Sequence, residues 1–410
     1  MCILAMRTKT RYGDSPWIDA FPDARRPTLP QLGRDLTCDA VIIGGGLTGM
    51  ATAYACARAG LTTAVLEADR LGSGSGGRSA GLLLPEPGPA FRDLVQAHGL
   101  RSARTIFDAW RRASLDAAAL LKRLSIQCAL TPVDTVTIAR GEQPLQREFD
   151  ARTRAGLDGR WMGAKPVQAI LRLEADAGIR MGDAFALDPF RACLGLAAAA
   201  RKRGVKCFER TPVRNVSFNN EGVQVVTDGA VVRAGTAIVT TGTATAEFKP
   251  LRRHFARRER FFVVTEPVPA PVRKQLLPPG ITLRDTHVPR HRLRWTADNR
   301  LLIAGADHDE TPARTRAAVL VQRTGQLMYE LLTMYPAISG LAPAYGWERV
   351  YGDTSDGLMY AGAHRNYPHH LFALGGNSDS ITGAFLAARI LARAAAGAPA
   401  KGDEVFGWTR

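Results

Sequence analysis

The stretch CDAVIIGGGLTGMATAYACARAGLTTAVLEADRLGSGSGGRSAG, Cys38 to Gly81, holds two glycine clusters separated by a helix-like segment and a strand that ends at Glu67. Asp39 to Ile43 is a short apolar, β-branched run, the composition of a fully buried strand. It breaks at Gly44-Gly45-Gly46, and Leu47 to Ala59 reads as a helix rich in small residues and closed by Gly60. Thr62 to Leu66 reads as a second buried strand. Strand, glycine turn, helix and strand make a βαβ unit, which implies parallel strands and a right-handed crossover. Gly44, Gly46 and Gly49 fit G-x-G-x-x-G. In that pattern the first glycine permits the tight turn, the second lets backbone approach a pyrophosphate, and the third lets the helix sit close on the sheet. Unpaired N–H groups and about half a positive charge at the helix start suit a diphosphate. Glu67 can accept hydrogen bonds from both ribose hydroxyls and would repel a 2′-phosphate. The reading is a site for an ADP-containing dinucleotide other than NADP.

The second cluster, GSGSGGRSAG from Gly72 to Gly81, carries Arg78 in its middle and follows directly on the ribose strand. With that loop, the segment resembles the D-amino-acid oxidase/glycine oxidase superfamily of FAD-dependent oxidoreductases. RLGSGSGGRSAG, together with SPWIDAFP at Ser15 to Pro22, is similar to the γ-glutamylputrescine oxidase-like branch. The resemblance implies FAD, with the first glycines on the diphosphate and the second group accommodating the flavin. It also implies a second approach to the dinucleotide at IVTTGT, and a flavin-side stretch at YGDTSDGLMYAG (Tyr351 to Gly362), where Met359 stands in place of a usual proline.

A chain of 410 residues that is 46% hydrophobic can bury a large core and form two domains. It has no run of eighteen apolar residues, so no transmembrane helix is expected, and its first residues have too short an apolar core for a signal peptide. The six cysteines (2, 38, 56, 128, 193, 207) form no C-x-x-C pair, so neither a zinc site nor a disulfide framework is indicated, and a cytoplasmic location is expected. The formal net charge is +16, yet only eight of the 54 basic residues are lysine. The densest basic run, Pro250 to Phe262, contains Arg252, Arg253, Arg257, Arg258 and Arg260. A solvated face explains it without a nucleic-acid motif, and no nucleic-acid partner is expected.

The expected fold is α/β: a Rossmann-like FAD-binding domain from 36–90, 180–250 and 345–410, with an inserted, mainly antiparallel substrate domain from 91–179 and 251–344. Residues 1–35 read as an irregular arm. Phe91 to Leu124 reads as a long helix, Asp228-Gly229 as a hairpin turn, and His369-His370 as a surface loop after Pro368.

The cofactor-binding set implied by motif and resemblance is Gly44, Gly46, Leu47, Thr48, Gly49, Glu67, Ala68, Arg70, Gly76, Gly77, Arg78, Ser79, Val213, Thr241, Gly242, Gly357, Gly375 and Thr382. Some members of the superfamily attach flavin through Cys or His. This chain has Arg349 and Val350 in the former stretch and no His between Phe21 and Ala97, so non-covalent FAD is expected. Leu302 stands where sarcosine oxidases carry an oxygen-activating Lys, and Thr382 where they carry a carboxylate-binding Lys. No metal site is expected. The catalytic candidates are Asp379, Arg294 and Tyr360: Asp379 to hold a cationic amine or cap the final helix, Arg294 to hold a carboxylate, Tyr360 to wall the site with Trp295. Arg78 could stabilise negative charge on reduced flavin.

The leading expectation is an oxidoreductase that oxidises the C–N bond of a small amine or amino acid to an imine by hydride transfer to flavin, with O2 or a carrier as electron acceptor. Two alternatives remain open at this point. One is a flavin enzyme of the tRNA-wobble-uridine-modification type, and the other is a flavin-binding subunit without independent activity.

Overall fold

The computed structural model describes residues 9–287, 290–376 and 381–410. The chain divides into two compact units. The first, called here the dinucleotide unit, comprises Phe21–Leu130, Asp183–Arg257 and Tyr351–Arg410; the second, the sheet unit, comprises Thr131–Gly182, Arg258–Val350 and the residues up to Ala20.

In the dinucleotide unit, β1 (Leu36–Ile43) leads into α1 (Leu47–Arg58) and β2 (Thr63–Leu66). The last four residues of β1 and all of β2 are buried, because both faces of this sheet are covered and β-branched side chains pack there without exposed alternation. Next come α2 (Phe91–Arg123), α3 (Pro189–Arg201) and β3 (Lys206–Phe208). A three-stranded meander follows: β4 (Val213–Phe218), β5 (Val223–Thr227) and β6 (Val231–Gly242). The unit ends with β7 (Tyr360–His364), β8 (Tyr367–Leu374) and α4 (Thr382–Ala395). The sheet order is β7-β8-β6-β1-β2-β3, with β5 pairing β6 and β4. From β8 to β3 every pairing is parallel, the order of a doubly wound nucleotide-binding sheet. The β5–β6 hairpin pairs Val226 with Val231 around the Asp228-Gly229 turn.

The sheet unit is built mainly from antiparallel strands. Ile281–Asp285 pairs Arg292–Trp295, which pairs Leu301–Asp309, which pairs Ala256–Thr265. Two parallel pairings flank them, Ile281–Asp285 with Thr131–Ala139 and Arg11–Tyr12 with Pro343–Asp353. The amphipathic helix Arg316–Met334 buries Leu320, Leu327 and Leu331 in a core shared with Phe261, Val263, Leu283, Leu293 and Ile303.

Three expectations change. The long helix, placed by the sequence with residues 91–179 in the substrate domain, belongs to the dinucleotide unit: Trp110 lies 6.3 Å from Phe406 and meets Gly383 of α4. This helix is also interrupted at Gly99, whose φ of 79° and ψ of 161° are not helical. The arm is divided: its residues up to Ala20 group with the sheet unit, whereas residues 21–35 are fastened to the dinucleotide unit. There Leu32 N–H donates to Thr211 Oγ1 at 3.2 Å and Glu209 N–H donates to Pro30 O at 3.1 Å. His369 and His370 lie in β8 rather than in a loop; His369, with a φ of 59°, is exposed, and His370 begins the buried run that continues to Leu374.

Candidate cofactor and active site

The first glycine cluster behaves as its spacing predicts. Gly44 has φ +110°, and a Cβ there would stand 3.0 Å from Thr240 O. A Cβ on Gly49 would stand 1.9 Å from Gly44 O, so helix and turn can approach this closely only with glycine at that position. Around Gly46 the situation reverses: a Cβ would meet no atom within 4 Å. Gly46 is the N-cap of α1, no side chain caps that end, and no acidic residue occupies the first turn. Open space in front of uncapped N–H donors fits a diphosphate.

The second cluster closes onto the first. Gly72 N–H donates to Gly45 O at 3.0 Å, and a Cβ on Gly45 would fall 2.2 Å from Leu71 Cδ2. A Cβ on Gly76 would meet Leu47 Cβ at 3.0 Å and Leu47 N at 3.3 Å, so the flavin-loop glycines border the α1 start. Arg78 and Ser79 turn back by donating N–H to Ser75 O (3.3 Å) and Gly76 O (3.2 Å).

Glu67 sits where β2 ends. Its Oε2 accepts Gly45 N–H at 2.6 Å and its Oε1 accepts Asp69 N–H at 2.9 Å. Burial raises its pKa above the ordinary glutamate value, against the lowering influence of those backbone donors. Each oxygen keeps a lone pair beyond the one used, the capacity two ribose hydroxyls require. Ala68 follows it, and Arg70 lies 3.7 Å from Asp23. Chain running into Val213 lines the same strand end: Arg210 N–H donates to Asp69 O (2.9 Å) and Thr211 N–H to Glu67 O (2.8 Å).

At the other end of the unit, Thr241 Oγ1 donates to Thr243 O at 2.8 Å, and Gly375 N–H donates to Gly242 O at 2.9 Å. This bond brings two predicted cofactor glycines, 133 positions apart in sequence, to one place. Gly357 has φ +70° and donates N–H to Thr354 O at 3.1 Å. Thr382 is fully buried, and its hydroxyl donates to Leu84 O (2.9 Å) and accepts Leu84 N–H (2.8 Å). It fastens the start of α4 to the chain that leaves the flavin loop.

Of the three catalytic candidates, Tyr360 and Arg294 are among the described residues. Asp379 lies outside the described residues; the N-cap position of α4 is Ile381, which makes no side-chain cap bond. Tyr360 is buried and stacked on Trp408, with ring centroids 4.4 Å apart, and the Arg410 guanidinium stands 3.9 Å from its centroid. Arg294 belongs to the sheet unit. It is 4% exposed, lies over the Trp17 ring at 5.2 Å, and donates from Nε to Trp295 O at 3.1 Å. Its partner in the antiparallel register is Leu302, so the two residues share a sheet face. Trp295 Nε1 is committed to Leu277 O at 2.6 Å.

Sequence reasoning missed several groups that shape the cofactor loop. Arg26, from the arm, donates to Ser73 Oγ at 2.6 Å and Leu71 O at 3.3 Å. Glu209, 1% exposed, accepts Leu71 N–H at 2.8 Å. Thr240 Oγ1 donates toward Ile43 O (3.1 Å) and Gly44 O (3.0 Å). Thr240 could have been found from the IVTTGT turn, but no pattern in the sequence links Arg26 or Glu209 to Leu71.

The basic run is partly neutralised. Arg260 pairs with Asp307, donating from Nε to Oδ1 at 2.7 Å, and Arg258 lies 3.4 Å from Asp309. Among the described residues no cluster of His, Cys, Asp and Glu could hold a metal, and no helix is long and apolar enough to cross a membrane.

A parallel sheet of doubly wound order, with a glycine turn opening its first helix, a carboxylate at the end of its second strand and a second glycine loop, is the architecture of a dinucleotide-binding protein. Residues 39–394 match the family described as DAO, FAD dependent oxidoreductase, and the chain belongs to that family. FAD is its cofactor. The chain is 24% identical over 330 residues to gamma-glutamylputrescine oxidoreductase of Escherichia coli, covering 77% of this chain and 74% of that one. It is 27% identical over 389 residues to glycine oxidase of Bacillus licheniformis, covering 86% and 93%. The fold matches the crystal structure of glycine oxidase from Geobacillus kaustophilus with a TM-score of 0.73 at 20% identity, over 92% of this chain and 99% of that one.

Proposed function

We propose that this FAD-dependent oxidoreductase oxidises the C–N bond of a small amine or amino acid to an imine. When bound, the flavin supplies a hydride acceptor for the carbon of that bond, and water hydrolyses the imine. The chain's own residues bind, orient and exclude water. Gly44, Gly46, Leu47, Thr48 and Gly49 hold the diphosphate through backbone at the α1 start. Glu67, Ala68 and Arg70 hold the adenosine ribose, with Val213 at the adenine. Gly76, Gly77, Arg78 and Ser79, then Thr241, Gly242, Gly357, Gly375 and Thr382, shape the flavin end. FAD is held non-covalently.

The observation that carries the substrate class is Arg294. An arginine carries a permanent positive charge and a planar fork of donors that matches a carboxylate. This one lies within a sheet face opposite Leu302, the position at which the resemblance implies a lysine in sarcosine oxidases. We therefore assign Arg294 to a substrate carboxylate, which favours amino acids and carboxylated amines over plain amines. The names of two relatives, a γ-glutamyl amine oxidoreductase and a glycine oxidase, support the same class. Steady-state kinetics on Arg294→Lys and Arg294→Ala with paired substrates tests this. The alanine variant should raise KM for carboxylated substrates by about tenfold or more, the scale of one charge-assisted hydrogen bond, and leave plain amines unchanged. Equal effects on both substrate classes would remove the assignment.

A further inference from the structure

The segment Thr354–Met359 carries Gly357 and is held from a distant point in the sequence. Arg410 donates from Nε to Asp356 Oδ2 at 2.6 Å and from Nη2 to Oδ1 at 3.3 Å. The same guanidinium donates to Leu358 O at 2.7 Å and Met359 O at 2.9 Å, and reaches Phe406 O at 3.0 Å and Gly407 O at 3.3 Å. The Arg410–Asp356 pair is nearly dry, with side chains 5% and 9% exposed. His98 Nε2 lies 3.1 Å from Asp356 Oδ2. From inside the turn, Asp356 Oδ1 accepts Leu358 N–H at 3.0 Å, and Thr354 Oγ1 donates to Leu358 O at 2.8 Å. This turn abuts the predicted flavin-side glycines: a Cβ on Gly375 would stand 2.8 Å from Thr354 Cγ2, and one on Gly376 would stand 3.2 Å from Met359 Cβ.

A buried ion pair contributes little net stability but fixes geometry when its remaining donors are satisfied. Arg410 meets that condition, because its planar fork reaches one carboxylate and two carbonyls of a six-residue turn, which a lysine could not do together. We infer that Arg410 is a positioning residue for the flavin end of the cofactor, acting through Asp356 and the carbonyls of Leu358 and Met359. The inference rests on the assignment of the 354–359 turn to the flavin end.

The test compares FAD with ADP, which occupies only the end formed by Gly44–Gly49 and Glu67. FAD affinity is measured by quenching of flavin fluorescence on reconstitution, and ADP affinity by competition. In Arg410→Ala the FAD Kd should rise at least about tenfold, as for one lost charge-assisted hydrogen bond, while the ADP Kd stays within about twofold of wild type. The visible band of the flavin that still binds should shift. Unchanged FAD affinity overturns the inference, and so does an equal loss of FAD and ADP, which marks a merely structural role. Should the alanine variant not fold, Arg410→Lys is read against the same outcomes, with Asp356→Asn as its counterpart. Wild-type protein that binds no FAD would instead refute the cofactor assignment, a failure distinct from these.

Discussion

Replacing Gly46 by alanine should leave the protein folded and cost it FAD. Gly46 has φ −76° and ψ −175°, backbone that any L-residue adopts, and a Cβ there meets nothing within 4 Å. Alanine is a poorer N-cap than glycine by roughly 0.5–1 kcal/mol, and the stiffer unfolded chain returns about 0.4–1 kcal/mol. The two nearly cancel, so the apoprotein Tm should move by no more than about 2–4 °C. On the cofactor side, the methyl group occupies the space through which the α1 start reaches the diphosphate. Losing two charge-assisted hydrogen bonds at about 1.5–3 kcal/mol each weakens FAD by roughly 10²- to 10⁴-fold. Flavin fluorescence titration gives the affinity, and a thermal melt of apoprotein gives the stability. A Gly46→Ala protein that retains FAD to within about tenfold of wild type would refute the diphosphate assignment. Gly49→Ala gives the contrast: its Cβ would lie 1.9 Å from Gly44 O, so that substitution should lower the apoprotein Tm itself.

Three further outcomes follow from the same geometry. Glu67→Ala should weaken FAD by about ten- to a hundredfold through the loss of ribose hydrogen bonds, and an unchanged Kd would sink the ribose role. Acid precipitation should leave the yellow colour in the supernatant; a yellow pellet would mean a covalent flavin. For His291, burial lowers the pKa, but Asp285 (Nδ1 to Oδ2, 2.6 Å) and Glu330 (Nε2 to Oε2, 2.9 Å) outweigh it and raise the value above the ordinary one. Protonated His291 therefore adds stability that is fully present below about pH 6.5 and lost as pH rises through the folded value. In His291→Gln the decline of Tm above about pH 6.5 should flatten, and an identical pH profile would contradict this.

Where the site was legible, local backbone demands carried the signal. Gly44, Gly46 and Gly49 are each required, or left open, for a reason visible in the structure, and their spacing within one βαβ unit is short enough to read directly. The position of Glu67 just past a strand was legible because β2 is short and buried, which fixes where it ends. The domain boundaries were less so: an apolar stripe such as that of residues 91–123 shows that a helix packs on something, without naming α4 as the partner. Gly99 was invisible as a break because glycine in a helical pattern reads as a tolerated weakness. The residues missed outright, Arg26, Glu209 and Arg410, act through hydrogen bonds to residues distant in sequence, at Leu71 and Ser73 and at Asp356, Leu358 and Met359. Such bonds leave no periodicity, and arginine is too common in a chain of this composition to stand out.

The central claim, FAD-dependent oxidation of a C–N bond, is tested most directly by recording the visible spectrum of the purified protein anaerobically, before and after adding amines and amino acids. The account predicts a flavin spectrum that bleaches with a carboxylated amine or amino acid, with air then separating an oxidase from an enzyme that uses another acceptor. A flavin spectrum that no amine or amino acid bleaches, while another class of donor does, would contradict it.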